Sequence, residues 1–307
     1  GPPLPPQTQT DRVDKDLSHT NLYVYSQISP LRSLPLLIGL SGDFLRGSFT
    51  NRSQPNPKVG ITWNPLPSTT LRAAAFRVLT RSLINSQTLE PTQVAGFNQF
   101  FDDPEGTESW RYGAAVDQRF SDNLSGGLEY SQRDLKVPFR SIVQTGPESP
   151  PAAETSEADW SERNGRAYLY WTPHRWLALS AEYFYEKFDR GGEFTQGVEH
   201  VRTQRFPLEF NFFHPMGFSV QVRATYIDQE GRFIPQQSAL EAPAIPGSDS
   251  FWVFDASLGY RLPKRLGFIT IGASNLFDKK FRYQDMDPFN PTLQPKRTVF
   301  GKATVYL

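Results

Sequence analysis

Cysteine is absent from this 307-residue chain, and methionine occurs only twice. Without cysteine there is no disulfide framework, no thiolate metal cluster and no cysteine nucleophile. Charge of one sign is not in excess, because 32 basic and 32 acidic residues cancel to a formal net charge of zero. A nucleic-acid binder carries a basic excess, so no nucleic-acid partner is expected. No apolar run approaches the roughly 20 residues that a membrane-spanning helix needs; the richest, Leu34 to Leu40, is far too short. Gly1-Pro2-Pro3 opens a proline-rich, uncharged stretch and not a cleavable signal peptide. That beginning fits a processed chain or a front end lying outside this sequence. Residues 1–16 are set apart as a polar lead segment or external loop, ahead of a main unit over 17–307.

Helical periodicity is also scarce. What recurs is a block of about ten residues that alternates apolar and polar and ends in a turn. From Trp252 to Leu262, one side reads Trp252, Phe254, Ala256, Leu258, Tyr260 and Leu262; the other reads Asp255, Ser257, Gly259 and Arg261. Side chains alternate across a strand, so one face of each block is apolar and the other mostly polar. Phe218 to Ile227, Leu177 to Glu186, Arg205 to Phe212 and Val299 to Leu307 repeat the pattern. Strands are expected near 18–28, 35–49, 58–64, 70–79, 109–120, 124–136, 160–172, 176–190, 199–213, 217–229, 250–262, 266–277 and 296–307.

Their connections alternate in length. Short turns fall at 29–34, 64–69, 121–123, 173–175, 214–217 and 263–265, and longer segments at 80–108, 137–159, 191–198, 230–249 and 278–295. Short turns on one rim and long loops on the other are the layout of an outer-membrane β-barrel. A soluble sandwich or small barrel would turn its apolar face inward, and it rarely needs strands so long or so many. Large charges of both signs on the polar faces suit a wet lumen: Arg111, Asp117, Arg119, Glu129, Arg133, Arg166, Glu182, Arg223, Asp255 and Arg261. Aromatics near strand ends, such as Trp63, Trp110, Trp171 and Trp252, suit interfacial girdles. The expected fold is therefore all-β, an antiparallel transmembrane β-barrel of about 13 to 14 strands in the bacterial outer membrane.

The end of the chain carries a more specific signal. Phe254-Asp255-Ala256-Ser257-Leu258-Gly259-Tyr260 leads to Asn275-Leu276-Phe277-Asp278, and Arg297-Thr298-Val299-Phe300 opens the last block. This resembles the carboxy-terminal end of TonB-dependent outer-membrane receptors, in which an Asn-Leu-Phe-Asp segment ends the penultimate strand. Asn21-Leu22-Tyr23-Val24-Tyr25-Ser26-Gln27 and Pro57 to Pro65 resemble strands from the middle of such barrels. Lys296 replaces the usual Gly before the Arg of the last strand, and Leu307 replaces the terminal aromatic. The resemblance implies a barrel of about 22 strands preceded by a plug domain, and no segment here is left over for a plug. A second resemblance is to the receptor-like barrel of outer-membrane proteins that carry a periplasmic tetratricopeptide-repeat region. Strand parity bears on the same point: single-chain bacterial barrels have even strand numbers, and an odd count fits either the downstream part of a larger barrel or a missing or irregular strand near the amino terminus. Solute uptake is the function implied first. A conduit for export or assembly, or a plugged structural anchor, is the alternative. The partners implied are outer-membrane lipid, an upstream or periplasmic domain and a small solute.

Candidate chemistry is thin. His19, His174, His200 and His214 share no metal-ligand spacing, and solvated histidines near strand ends are the preferred reading. A hydrolytic group could be forced from Ser131, Asp189 and His200, but no reaction is expected. Asp102-Asp103-Pro104-Glu105-Gly106 and Asp285-Met286-Asp287-Pro288 offer clustered carboxylates that could hold calcium; acidic turns are preferred. No cofactor and no metal are implied. The polar-face charges remain, either as a ladder of cross-strand pairs that stiffens the wall or as a pore lining whose mixed signs give weak selectivity.

Overall fold

The computed structural model describes residues 18–47, 51–80, 90–99, 103–143, 152–190, 197–234, 244–284 and 293–306. Thirteen strands form one antiparallel sheet in which each is paired with its neighbour in sequence: β1 (Ser18–Leu31), β2 (Leu34–Arg46), β3 (Arg52–Leu66), β4 (Thr69–Leu79), β7 (Glu108–Ser121), β8 (Leu124–Val143), β9 (Ala152–His174), β10 (Leu177–Asp189), β11 (Gly197–Phe213), β12 (Phe218–Ile234), β13 (Ile245–Arg261), β14 (Gly267–Ser274) and β15 (Thr298–Val305). β5 (Gln93–Val94) and β6 (Phe97–Asn98) make a separate small hairpin. β1 and β15 are the edges of the wall, which is open among the described residues.

Burial is inverted relative to a soluble sheet. Leu258 is 64% exposed, Leu22 66% and Leu128 59%, whereas Asn56, Lys58, Ser131 and Asp43 on the other face are at most 1% exposed. None of Phe254, Val220 and Leu179 is buried. An apolar exposed face is what a barrel turns to hydrocarbon, with every backbone group satisfied by the ladder within.

The expected strands and short turns are present, but two expected loops begin and end as strand. Residues 137–159 and 230–249 were read as long connections; β8 and β9 instead stay paired out to Val143 and Ala152, and β12 and β13 out to Phe233 and Ile245. Beyond the apolar band neither face has to match lipid, so the alternation fades while the ladder continues. Similarly β3 begins at Arg52 despite Pro55 and Pro57, because over that stretch it is paired with β2 alone. Pro207 leaves a different mark. The β10–β11 register is continuous from Ala181↔Leu208 to Phe184↔Arg205, but the two intervening pairs are missing, as expected where a strand residue has no N–H to donate.

The Asn-Leu-Phe-Asp segment is a turn that ends β14. Asn275 and Asp278 have φ of 46° and 51°, a left-handed conformation that Asn and Asp tolerate. The Asn275 side chain brackets the turn, donating from Nδ2 to the Lys279 carbonyl (2.9 Å) and accepting from the Lys279 N–H (2.8 Å). Asp278 accepts from the N–H of Arg297 at 3.0 Å, which tethers the approach to β15. Residues 1–16, Asp285 to Pro288 and Leu307 lie outside the described residues.

Candidate functional site: the polar face and the segments folded onto it

Strand register places all ten charges singled out in the sequence on the polar face. Asp117 faces Gly127, Arg111 faces Arg133, and Glu129 faces Arg166, which in turn faces Phe184 next to Glu182. Arg223 lies between Glu209 and Asp255, and Arg119 and Arg261 sit near the short-turn rim. Most are engaged. Arg166 binds Glu182 through Nε and Nη2 (2.9 and 2.8 Å), and Tyr170 donates to the same carboxylate at 3.0 Å. Glu209 accepts from Arg223, Gln221 and Asn211. Asp255 accepts the backbone N–H of Asn275 at 2.8 Å, so it anchors the β14 turn. No ion pair is found for Arg119 or Arg261 among the described residues.

The centre of this face is a residue outside that set, Arg72 of β4. Its Nε reaches Asp117 Oδ2 at 2.9 Å, its Nη2 reaches Glu129 Oε2 at 3.2 Å, and its Nη1 donates to the Ala95 carbonyl at 3.3 Å. Tyr168 donates to Asp117, closing the network. Arg72 therefore ties three wall strands to a segment folded onto them.

That segment, residues 90–99, was expected as part of an external loop. It packs β5 and β6 against the polar face, where Val94 (0% exposed) and Phe97 (1%) meet Ala74, Phe76 and Val78 of β4. Small wall residues make room for it: a Cβ on Gly113 would stand 2.4 Å from the Phe97 ring. Arg111 holds the hairpin from above, with Nη1 on the Asn98 carbonyl and Nη2 on Ser131 Oγ, both at 2.9 Å. At its base lies a buried ion pair, Lys58 Nζ to Glu90 Oε1 at 3.1 Å. Tyr25 donates to Glu90 at 2.6 Å, and Lys58 also donates to Gln99 Oε1 (2.7 Å) and the Arg77 carbonyl (3.1 Å). Lys58 and Glu90 were missed in the sequence. The available signal was Lys58 itself, a full charge in alternation with Gln54 and Asn56 on a strand whose other face is apolar.

The hydrolytic group is not assembled. Asp189 and His200 are hydrogen-bonded, but Ser131 sits on β8 opposite Asn164 and accepts from Arg111, while Asp189 on β10 is opposite Ser161. His19 contacts Asp43 at 2.9 Å. His174 and His214 lie 5.0 and 5.7 Å from the Trp176 ring in the short turns. Asp103 is neutralised by Arg133, which also binds Glu162 at 2.8 Å. No metal-binding group is found among the described residues.

The family model described as TonB dependent receptor-like, β-barrel matches residues 1–276. This chain belongs to that family. The match stops inside the Asn-Leu-Phe-Asp turn, so the strands before it carry the assignment. No curated protein matches the chain. Among solved structures, the FrpB iron transporter of Neisseria meningitidis superposes with a TM-score of 0.65 at 12% identity, covering 93% of this chain and 44% of that one. The siderophore receptor PirA of Pseudomonas aeruginosa gives 0.62 at 17%, covering 95% and 49%. The outer membrane transporter YddB of Escherichia coli gives 0.61 at 14%, covering 86% and 42%. At these identities the likeness is one of fold, and the chain spans less than half of each of these proteins. A TonB-dependent receptor-like barrel resides in the bacterial outer membrane. The exposed apolar face of the sheet is the one that such a barrel turns to lipid.

Proposed function

We propose that this TonB-dependent receptor-like barrel takes up a solute across the outer membrane, and that the solute is a ferric chelate of the kind named for its structural neighbours. The observation that carries the reading is the hairpin at 90–99, held on the interior face by a buried ion pair and two arginines. A wall whose interior is occupied in this way suits selective, driven uptake better than an open diffusion pore. In this reading Arg111, Asp117, Arg119, Glu129, Arg133, Arg166, Glu182, Arg223, Asp255 and Arg261 line the lumen. Their principal role is to pair across strands and hydrate the wall, and their mixed signs give little selection by charge. Asn275, Leu276, Phe277, Asp278 and Arg297 act structurally, setting the last turn. The barrel catalyses no reaction.

Deleting the gene from an iron-limited strain that lacks its other ferric-chelate receptors should abolish accumulation of at least one member of a radiolabelled panel of ferric catecholates and hydroxamates. Dissipating the membrane potential should do the same. In planar bilayers the purified protein should show no steady open-state current. Unchanged accumulation across the panel, or a steady current, counts against uptake and favours a conduit or anchor.

A further inference from the structure

The chain is neutral as a whole, but its short-turn rim is not. Arg32, Arg175, Lys264 and Arg265 lie in the short turns, and Arg119 and Arg261 lie near the strand ends beside them. Asp122 is the only carboxylate in those turns. Higher on the polar face most charges are paired across strands. At the rim no ion pair is found for Arg32, Arg119, Arg175, Arg261 or Lys264 among the described residues. The basic excess is thus a matter of placement, and the chain supplies little to balance it.

A cleft of about 490 Å³ opens at this rim. Arg175, Trp176, Phe213, His214, Arg261 and Phe268 line it, and no carboxylate does. Phe213 is opposite Ser219 and Arg261 is opposite Phe268, so these wall residues belong to the polar face, away from the face that meets lipid. Phe213 is nevertheless 51% exposed and Phe268 43%. The Arg175 guanidinium lies 5.3 Å from the centre of the Trp176 ring. His214 accepts the Met216 N–H at Nδ1 (3.3 Å), which leaves Nε2 as its donor nitrogen. The cleft therefore combines cations and a hydrogen-bond donor with exposed aromatic rings.

We propose that the short-turn rim docks on peptidoglycan, with stem-peptide carboxylates against Arg175, Arg261 and Lys264 and a sugar ring against Trp176. The short turns of such a barrel face the periplasm, where the cell-wall mesh is an extended polyanion. Cations spaced over several turns match a mesh of carboxylates better than one small anion. Guanidinium groups supply the forked donors that carboxylates accept, and exposed rings suit the C–H faces of sugars. Lipid phosphate would match the charge, but the leaflet lies against the opposite face of the sheet. The inference rests on the outer-membrane location and is independent of which solute is taken up.

The test is co-sedimentation of the purified full chain, in mild detergent, with isolated sacculi and with sacculi whose carboxylates have been amidated. Native sacculi should retain the protein, and added salt should release it, because exposed ion pairs are screened. Amidation should lower the affinity on the order of tenfold, and the R175Q/R261Q/K264Q variant should lose a similar factor on native sacculi. Trp176→Ala should weaken binding about fivefold. Retained heat-modifiable migration in gels shows that a variant is folded, and the amidated sacculi probe the same charges without any variant. Equal retention on native and amidated sacculi, or full affinity in either folded variant, overturns the proposal. Unchanged binding to sacculi, with loss of co-purified phosphatidylglycerol from the triple variant, reassigns the rim to lipid headgroups and overturns it too.

Discussion

Replacing Lys58 with methionine removes the cation from a pair whose side chains are 1% and 0% exposed. Glu90 would lose its cation and keep the hydrogen bond from Tyr25, and a buried charge stripped of its ion-pair partner costs about 3–5 kcal/mol. The β-ladder does not depend on this pair; what depends on it is the docking of residues 90–99. Val94 and Phe97 hold that segment with roughly 1.5–3 kcal/mol each. The guanidinium bonds of Arg72 and Arg111 to its carbonyls add about 1.5–3 each. Those gains are of the same size as the cost of ordering ten residues, about 1–2 kcal/mol per residue. Losing the ion pair therefore undocks the hairpin and leaves the barrel folded. The chain has no cysteine, so Val94→Cys provides a single thiol whose maleimide labelling reports exposure. Adding Lys58→Met should speed labelling about a hundredfold or more. Changing Glu90→Met as well should restore much of the protection, because no uncompensated charge remains. An unchanged labelling rate in Val94→Cys/Lys58→Met, with the barrel intact, refutes the idea that the pair latches the hairpin.

Two further outcomes concern the wall. Pro207→Thr supplies the N–H missing where the β10–β11 ladder lapses; it should stabilise the barrel by about 0.5–1.5 kcal/mol, read as a higher unfolding temperature and slower amide exchange at Glu182, which stands opposite. Gly267→Ala should act in the opposite direction, because Gly267 has φ of +150° and an added Cβ would lie 1.9 Å from the Thr304 carbonyl oxygen. The β14–β15 pairing would have to part, so the heat-modifiable fraction in outer membranes should fall sharply.

Sequence reasoning worked wherever one face had to meet hydrocarbon. Between Phe254 and Leu262 the alternation is complete, and β13 covers that stretch to Arg261. The signal weakened where that constraint lifts. Val137 and Ala158 are paired and buried, but they lie past the apolar band, where Pro138 and scattered charges read as loop. The polar-face charges could be grouped by parity alone, because a period of two fixes the face. Their partners could not. Arg72 reaches Ala95, and Lys58 reaches Glu90, across a chain reversal that no local pattern encodes.

The breaks in alternation carry information of their own. Ala74, Phe76 and Val78 are apolar on the polar face of β4, and the hairpin at 90–99 covers them. Ile227, Phe251 and Val253 repeat the anomaly on β12 and β13, and Phe281, Tyr283 and Leu293 cover them. An apolar patch on the polar face, near the long-loop rim, thus marks where the chain folds its own loop onto the sheet. Phe188, Val198 and Val201 make a third patch, but Trp160 and Phe233 of the wall itself pack on it, so the rule needs a loop within reach. Phe281 tests it. Its ring stacks on Phe251 at 4.4 Å and 5°, and hydrogen bonds to Asp249 and Gln229 fasten the amides of Arg282 and Gln284 beside it. Phe281→Ala should cost roughly 1.5–3 kcal/mol of docking, which raises exchange of those two amides about tenfold to a hundredfold and leaves the unfolding temperature in place. A lower unfolding temperature with unchanged exchange would mean that the ring props the wall and that no loop docks through it.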